Sequence, residues 1–242
     1  MTKIILSLLL GVFYVFFLSF AQDKGSLKIT YSQFIKYKNT DSIKINNSIR
    51  KQYIDDLLKK KYFELVIMDK KSEYSEILKI NNQQSISMFQ ISSPHEKIYK
   101  DFENNMIIYK MNFPSKTYVK DSLKNLEWNI QEKSDTIVVG YKSHKATIST
   151  KDIKITAFFT KDIPISDGPE EYYGLPGLIV YLEIALSNNN EIHIKQLESI
   201  NIDKRIDLKF PQTKRMISME EYNQIIDEFI EKRKTIHSNT IE

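Results

Sequence analysis

The feature that most constrains the fold of this chain is residues 163–181, which read Ile-Pro-Ile-Ser-Asp-Gly-Pro-Glu-Glu-Tyr-Tyr-Gly-Leu-Pro-Gly-Leu-Ile-Val-Tyr. Three of the six glycines and three of the six prolines of the chain lie here. Glycine allows positive φ and close backbone approach, whereas proline fixes φ and removes a backbone donor. Because apolar runs at 153–160 and 178–184 flank this stretch, the sequence predicts a constrained, partly buried loop between two strands.

We call residues 163–179 the signature loop and predict that its role is structural. Its aliphatic residues interleave with its glycines, as expected of a tightly turned backbone whose side chains face inward. The residues that define the loop are Ile163, Pro164, Gly168, Pro169, Gly174, Leu175, Pro176, Gly177, Leu178 and Ile179.

Residues 174–179 read Gly-Leu-Pro-Gly-Leu-Ile, and matching segments occur upstream at 128–130, 140–142, 145–146 and 157–160. With these motifs the stretch 128–182 resembles the GLPGLI family, secreted proteins of Bacteroidota whose activity is not established. Phe158 stands where that family often has Trp, and Ser143 stands where it often has Cys. A role that depends on that thiol therefore cannot apply to this chain.

The N-terminus has the pattern of a secretory signal peptide. Lys3 precedes an apolar run at 4–20, and the small residues Ser19 and Ala21 stand just before a polar segment. This pattern predicts cleavage after residue 21, a periplasmic or secreted protein, and membrane contact through the signal segment alone. An uncleaved anchor is the alternative, since the run is nearly long enough to span a bilayer. Residues 22–242 are then expected to form one β-rich domain.

The remaining pattern is mostly that of short strands separated by polar turns. The predicted strands include 86–91, 106–111, 126–131 and 136–141, and a predicted turn at 133–135 separates the last two. Helical spacing occurs at 46–60 and again at 219–234, where Ser218 and Glu221 form a capping box. We therefore predict a mainly β fold, a curved antiparallel sheet or half-barrel with two packed helices. By analogy of fold alone, this resembles the periplasmic lipoprotein carriers.

Composition excludes several kinds of site. The chain has no cysteine, and its net charge of +4 comes from 35 basic and 31 acidic residues mixed along its length. This excludes disulfides and thiolate metal sites, and it argues against nucleic acid as a partner. No cofactor motif and no supported catalytic nucleophile appear, so we expect a protein that is not an enzyme.

We expect no metal site. The alternative is a calcium site built from the carboxylates Asp162, Asp167, Glu170 and Glu171 in and beside the signature loop.

Two functions remain open at this point. The first is a carrier or binding protein for an apolar or peptide ligand held between the sheet and the C-terminal helix, with Trp128, Phe158 and Phe229 facing the ligand. The second is an accessory protein of an outer-membrane receptor or transport system, which the resemblance to the GLPGLI family suggests.

Overall fold

The computed structural model describes residues 26–38, 59–77, 95–187, 190–203, 206, 208–213 and 215–238. The predicted signal peptide at 1–21 and the predicted strand at 86–91 lie outside these residues. Of the predicted helix at 46–60, only Lys59 and Lys60 are described, and they are not helical.

The described residues form twelve strands and one helix, so the prediction of a mainly β fold is confirmed. The strands are β1 (Ser26–Tyr37), β2 (Lys61–Met68), β3 (Lys71–Glu76), β4 (His95–Asp101), β5 (Met106–Met111), β6 (Thr117–Ser122), β7 (Asn129–Val138), β8 (Tyr141–Ser149), β9 (Ile153–Thr160), β10 (Leu178–Leu186), β11 (Glu191–Asp203) and β12 (Ile217–Ser218). The helix, α1, is Met219–Ser238.

All twelve strands belong to one sheet in the order β12-β6-β5-β4-β3-β2-β1-β11-β10-β9-β8-β7. Every neighbouring pair is antiparallel except β12 and β6, which are parallel over two residues. At the centre of the sheet β1 pairs with β11, so the first and last long strands lie side by side. The sheet is open, because β12 and β7 are its edges and do not pair with each other.

One predicted turn is wrong. The polar residues 133–135 do not end a strand, because β7 continues through them with a shift in register against β8. The hairpin turns instead at Val139 and Gly140, whose φ values are 52° and 81°. Positive φ at both central residues is typical of the tight turns that suit the twist of antiparallel strands.

Alternating apolar residues build the main core on one face of the sheet. Neighbouring strands place Ile29, Leu65, Tyr74 and Ile98 directly across from one another. These residues are buried in one cluster that also contains Leu178 and Val180 from the start of β10. The sheet face that carries this row is the one that the signature loop covers.

Helix α1 begins as predicted, because the Ser218 hydroxyl accepts a hydrogen bond from the backbone N–H of Glu221 at 3.0 Å. Its packing is different from the prediction. Only the first turns are fixed, where Tyr222 and Ile226 contact Met111 and Val119. The helix therefore packs at the β6–β12 edge and does not lie across the face of the sheet. Neither α1 nor any other helix in the described ranges is long and apolar enough to cross a membrane.

Candidate functional site

The signature loop connects β9 to β10, and its last two residues, Leu178 and Ile179, are already the first residues of β10. The backbone takes the special conformations that its glycines predict. Gly174 has φ 90° and Gly177 has φ 153°, where side chains are rarely tolerated. A Cβ on Gly177 would lie 2.0 Å from the carbonyl oxygen of Thr160, so only glycine fits beside the end of β9.

Lys100, on β4, is the residue around which the first half of the loop is wrapped. Its side chain is 0% exposed. Its ammonium group forms an ion pair with Asp167. It also donates hydrogen bonds to the carbonyl oxygens of Gly168 and Glu170, both at 2.8 Å. Three oxygen acceptors thus match the three donors of the ammonium group, and the buried charge is fully compensated.

A second buried lysine, Lys195 on β11, binds the loop from the other side. Its ammonium group lies 3.1 Å from a carboxylate oxygen of Glu170. Glu170 itself has φ 53°, which is uncommon for a residue other than glycine. Burial raises the pKa of the adjacent Glu171 carboxyl above its ordinary value, and the charge of Glu170 raises it further. The two lysines therefore fix the turn on which both carboxylates stand.

Aromatic hydrogen bonds fasten the rest of the loop. The Tyr31 hydroxyl, buried on β1, donates to the carbonyl oxygen of Ile179 at 2.7 Å. The Trp128 indole N–H donates to the carbonyl oxygen of Tyr173 at 2.8 Å. The Tyr173 hydroxyl in turn donates to the carbonyl oxygen of Lys124. The loop thereby holds both the centre of the sheet and the segment that leads into β7.

The loop carboxylates proposed as calcium ligands are separated by these contacts. Asp167 and Glu170 each face a lysine ammonium group, whereas Asp162 is exposed just before the loop. In the part of the chain that is described, no three histidine or acidic side chains converge in a way that could hold a metal ion. The cation that these loop oxygens surround is Lys100.

The three aromatic residues proposed to face a ligand do not meet in one place. Trp128 packs against the buried cluster that contains Leu175, and Phe158 packs edge-on against Tyr181 with ring centres 5.9 Å apart. Phe229 lies elsewhere, on α1, where its ring is edge-on to that of Phe113 with ring centres 5.0 Å apart. The structure thus places the three side chains in separate environments.

Sequence reasoning missed both buried lysines. A lysine in a strand ordinarily indicates a solvent-exposed position. The one available signal is phase: Lys100 is two residues from Ile98, and Lys195 is two residues from Leu197, so each shares a face with a buried apolar residue. This spacing indicates on which face of the sheet each lysine lies. It does not indicate which oxygen atoms accept hydrogen bonds from the ammonium groups.

An open groove of about 630 Å³ lies beside β6 and β12. Asn104, Asn105, Lys120 and Asp121 line it together with Met216. It lies at the sheet edge and does not reach the signature loop. A hollow of about 10 Å³ lies between Tyr74, His95 and the loop residue Glu170.

Comparison with solved structures finds a similar fold in PNGF-II, whose structure is known in two space groups. For the C2 form the TM-score is 0.52 at 16% identity, and the match covers 84% of this chain and 32% of that chain. For the P21 form the TM-score is 0.54 at 17% identity, with 84% and 33% covered. This chain therefore spans about a third of the length of PNGF-II, and the likeness concerns the fold alone.

No curated protein matches the sequence. A family described as "Protein of unknown function (Porph_ging)" matches residues 104–181. The match runs from the turn before β5 to the fourth residue of β10, and it includes β7 and the whole signature loop. The part of this chain that contains the signature loop is thus similar to a family whose function is unknown.

Proposed function

We propose that this chain is an exported, non-enzymatic binding protein of the GLPGLI family that takes an extended peptide along edge strand β7. Adding a strand to an exposed sheet edge is a common mode of peptide recognition, in which main-chain hydrogen bonds give affinity and side chains give specificity. The observation that carries the proposal is the combination of an edge position with exposed apolar side chains on β7.

Among the described strands, β7 pairs only with β8. Near its C-terminal end Ile137 is 70% exposed, and near its start Ile130 is 39% exposed. Natural sheets commonly protect long edges with charges, proline or covering elements, because an uncovered edge can pair with another chain. Two exposed isoleucines on such an edge suit a partner strand with apolar side chains.

The signature loop supports this role by fixing the start of β7. Trp128 stands immediately before the strand, and its hydrogen bond to Tyr173 ties that end to the loop. A prepositioned edge loses less conformational freedom on binding than a mobile one, which favours affinity. The loop is then a structural support for the binding edge.

We also propose that the open sheet bends into the half-barrel expected from the sequence. Ten inter-strand steps separate β6 from β7 in the sheet order. Laid flat, these steps would span about 48 Å. The six residues 123–128 that join the two strands reach only about 25 Å. One core cluster also includes Ile107 on β5 and Tyr141 on β8, from opposite halves of the sheet.

A peptide partner is favoured over an apolar molecule held inside the half-barrel. The signature loop lies over the central strands, where Lys100, Lys195 and Tyr31 bind it. Such a position leaves an interior ligand little room. We also propose that the protein is not an enzyme. The ion pairs of Asp167 and Glu170 hold both carboxylates in structural contacts, so neither is free to act as an acid or a base.

The second candidate, an accessory protein of an outer-membrane system, uses the same edge with a strand of a membrane protein as its partner. In PNGF-II the similar fold spans about a third of a longer chain. This suits a domain that acts together with other protein segments. Capture of a peptide from such a protein, and of no other extended peptide, would favour this second candidate.

Export remains a proposal based on residues 1–21. Intact-mass analysis of the protein secreted by its own host tests it. We expect the mass of a chain that begins at residue 22. The mass of a chain that still includes residues 1–21 would contradict cleavage.

Peptide binding is tested by selecting nine-residue peptides from a random display library on the immobilised mature protein. Binding of an enriched peptide is then measured by fluorescence anisotropy. Ile137→Lys should weaken binding at least tenfold, because the lysine ammonium group would then lie beside the apolar side chains of the bound peptide. Ile202→Lys is the control, since Ile202 is 60% exposed but lies on β11, away from the edge.

A second pair of probes tests whether main-chain hydrogen bonds hold the peptide. Successive amides of a strand point to opposite sides, so N-methylation of one alternate set should abolish binding and N-methylation of the other set should not. Failure of the library to yield any saturable binder, or equal effects of the two lysine substitutions, would contradict the proposal.

A further inference from the structure

The second half of helix α1 carries apolar side chains that the described part of the sheet does not bury. Ile225 is 38% exposed and Ile230 is 42% exposed. Phe113, whose ring lies edge-on to that of Phe229, is 48% exposed. None of these four residues belongs to a hydrophobic cluster formed within the described ranges. Exposed apolar residues that adjoin one another commonly mark a surface for another molecule.

These side chains form one continuous surface, which we call the α1 patch and which consists of Phe113, Ile225, Ile226, Phe229 and Ile230. On a helix, residues three or four positions apart are neighbours. Ile225 therefore adjoins Phe229, and Ile226 adjoins both Phe229 and Ile230. Ile226 also packs against the cluster at the β6–β12 edge, so the patch continues from the packed part of the helix. Because helices in proteins are stabilised mainly by packing of an apolar face, the patch favours a partner that covers it.

The charges of α1 indicate that this partner is a second copy of the same helix. The first half of the helix, residues 219–228, has four acidic residues and no basic one: Glu220, Glu221, Asp227 and Glu228. The second half, residues 229–238, has one acidic and three basic residues: Glu231, Lys232, Arg233 and Lys234. All of these charged side chains are exposed. Antiparallel packing of two α1 helices brings opposite charges together, whereas parallel packing brings like charges together.

The spacing of the apolar residues sets the register of such a pair. Ile225, Ile226, Phe229 and Ile230 are placed symmetrically about the midpoint between residues 227 and 228. A two-fold axis at this midpoint puts Ile226 level with Phe229 of the second copy. It likewise puts Ile225 level with Ile230 of the second copy. The patch is therefore complementary to itself, as the interface of a two-fold dimer must be.

One pair of charges fits the same register. Glu221 and Lys232 are eleven residues apart, which is about three helical turns, so they lie on the same flank of α1. In an antiparallel pair the same flank of each helix meets, and Glu221 then faces Lys232 of the second copy. Within one chain Lys232 lies 3.9 Å from Glu228, but both side chains are largely exposed and such a contact is weak.

We propose that the α1 patch is the interface of a homodimer in which two α1 helices pack antiparallel about a two-fold axis. The interface is made by α1 and by Phe113 in the loop between β5 and β6, and it includes no residue of edge strand β7. Because one helix pair makes a small interface, the dimer should dissociate in the micromolar range or above. Unfolding measured in dilute protein therefore reports on the monomer.

Sedimentation equilibrium of the mature protein over a hundredfold range of concentration tests the dimer. We expect the average mass to rise with concentration toward twice the mass of the chain. Ile230→Gln should weaken association at least tenfold, because it places an amide group in the apolar interface. Ile202→Gln is the matched control, since Ile202 is 60% exposed but lies on β11. It should leave association unchanged.

The register is tested with Glu221→Lys and Lys232→Glu. Each variant alone sets like charges against each other at both ends of the homodimer, so its association should be weaker than that of the wild type. A heterodimer of the two variants has opposite charges at both ends. The equimolar mixture should therefore associate more strongly than either variant alone, a pattern that parallel packing or a surface without α1 does not produce.

A protein that stays monomeric over the whole concentration range overturns the proposal. Association that Ile230→Gln leaves unchanged, or a mixture that associates no better than its two components, overturns it as well. Phosphatidylglycerol vesicles probe the other occupant of an apolar helix face with basic residues. Vesicle binding by a protein that remains monomeric, lost in Ile230→Gln, would assign the patch to a membrane surface and reject the dimer.

Discussion

The signature loop and helix α1 are the two segments with the clearest sequence patterns, yet the fold holds them in different ways. The loop is fixed along its length by residues from β1, β4 and β11, including the fully buried Lys100. The helix contacts the sheet only through its first turns, and Ile225 and Ile230 on its apolar stripe are exposed. A strong local pattern therefore does not determine how much of a segment is buried.

The largest effect should come from Gly177→Ala. The added Cβ would lie 2.0 Å from the Thr160 carbonyl oxygen, so β9 or the loop has to move. We expect a loss of about 4 kcal/mol or more in the free energy of unfolding, measured in urea. Gly140→Ala is the matched control: its φ is also positive, but no atom lies within 4 Å of the new Cβ. It should cost about 1 to 2 kcal/mol. Equal losses would show that the loop is not tightly packed against β9.

Lys100→Met should have the next largest effect. It leaves the Asp167 carboxylate buried without its counter-charge and removes the donor to two carbonyl oxygens. Breaking a buried ion pair by removing one partner typically costs about 3 to 5 kcal/mol.

The double variant Lys100→Met, Asp167→Asn serves as the control, because it removes the uncompensated charge. It should recover part of the lost stability in the same urea titration. A single variant as stable as the wild type would mean that the lysine does not hold the loop.

Helix α1 should be much less sensitive in its second half. Phe229 is half-buried and contacts Phe113 and Arg233, so Phe229→Ala should cost about 1 kcal/mol. Tyr222→Ala, in the packed first turns, should cost about 3 kcal/mol, since Tyr222 is buried and its hydroxyl donates to the carbonyl oxygen of Phe113 at 2.6 Å. Thermal unfolding of both variants gives the comparison. A larger loss for Phe229→Ala would show that the exposed stripe is covered in solution.

The smallest effect is a pH dependence caused by Glu171. Its pKa is raised in the folded protein, so the native state binds the proton more tightly than the unfolded chain. Stability must then decrease as pH rises above the ordinary value of 4.5. Glu171→Gln should be more stable than the wild type near neutral pH, with a difference that disappears near pH 4. Urea titrations of both proteins between pH 4 and neutral pH measure the difference in their free energies of unfolding. A difference that does not change with pH would contradict this expectation.

The sequence predicted several strands closely, because alternation and short polar turns are local properties. The strand predicted at 106–111 matches β5, and the one predicted at 153–160 matches β9. The merging of two predicted strands into β7 was missed, since charged residues at 132–135 resemble a turn. Within a sheet edge such residues can remain extended, and the pairing with β8 decided the outcome.

By itself, then, the sequence determined a mainly β chain, a tightly turned glycine-proline loop and a capped C-terminal helix, because each depends on the conformational preferences of neighbouring residues. Only the tertiary structure decided that Lys100 and Lys195 are buried under that loop. Their acceptors lie roughly 70 and 25 residues away along the chain, at Gly168 and Glu170. Desolvating a lysine is favourable only where such acceptors are already in place, and strand order and register, which no local pattern encodes, bring them there.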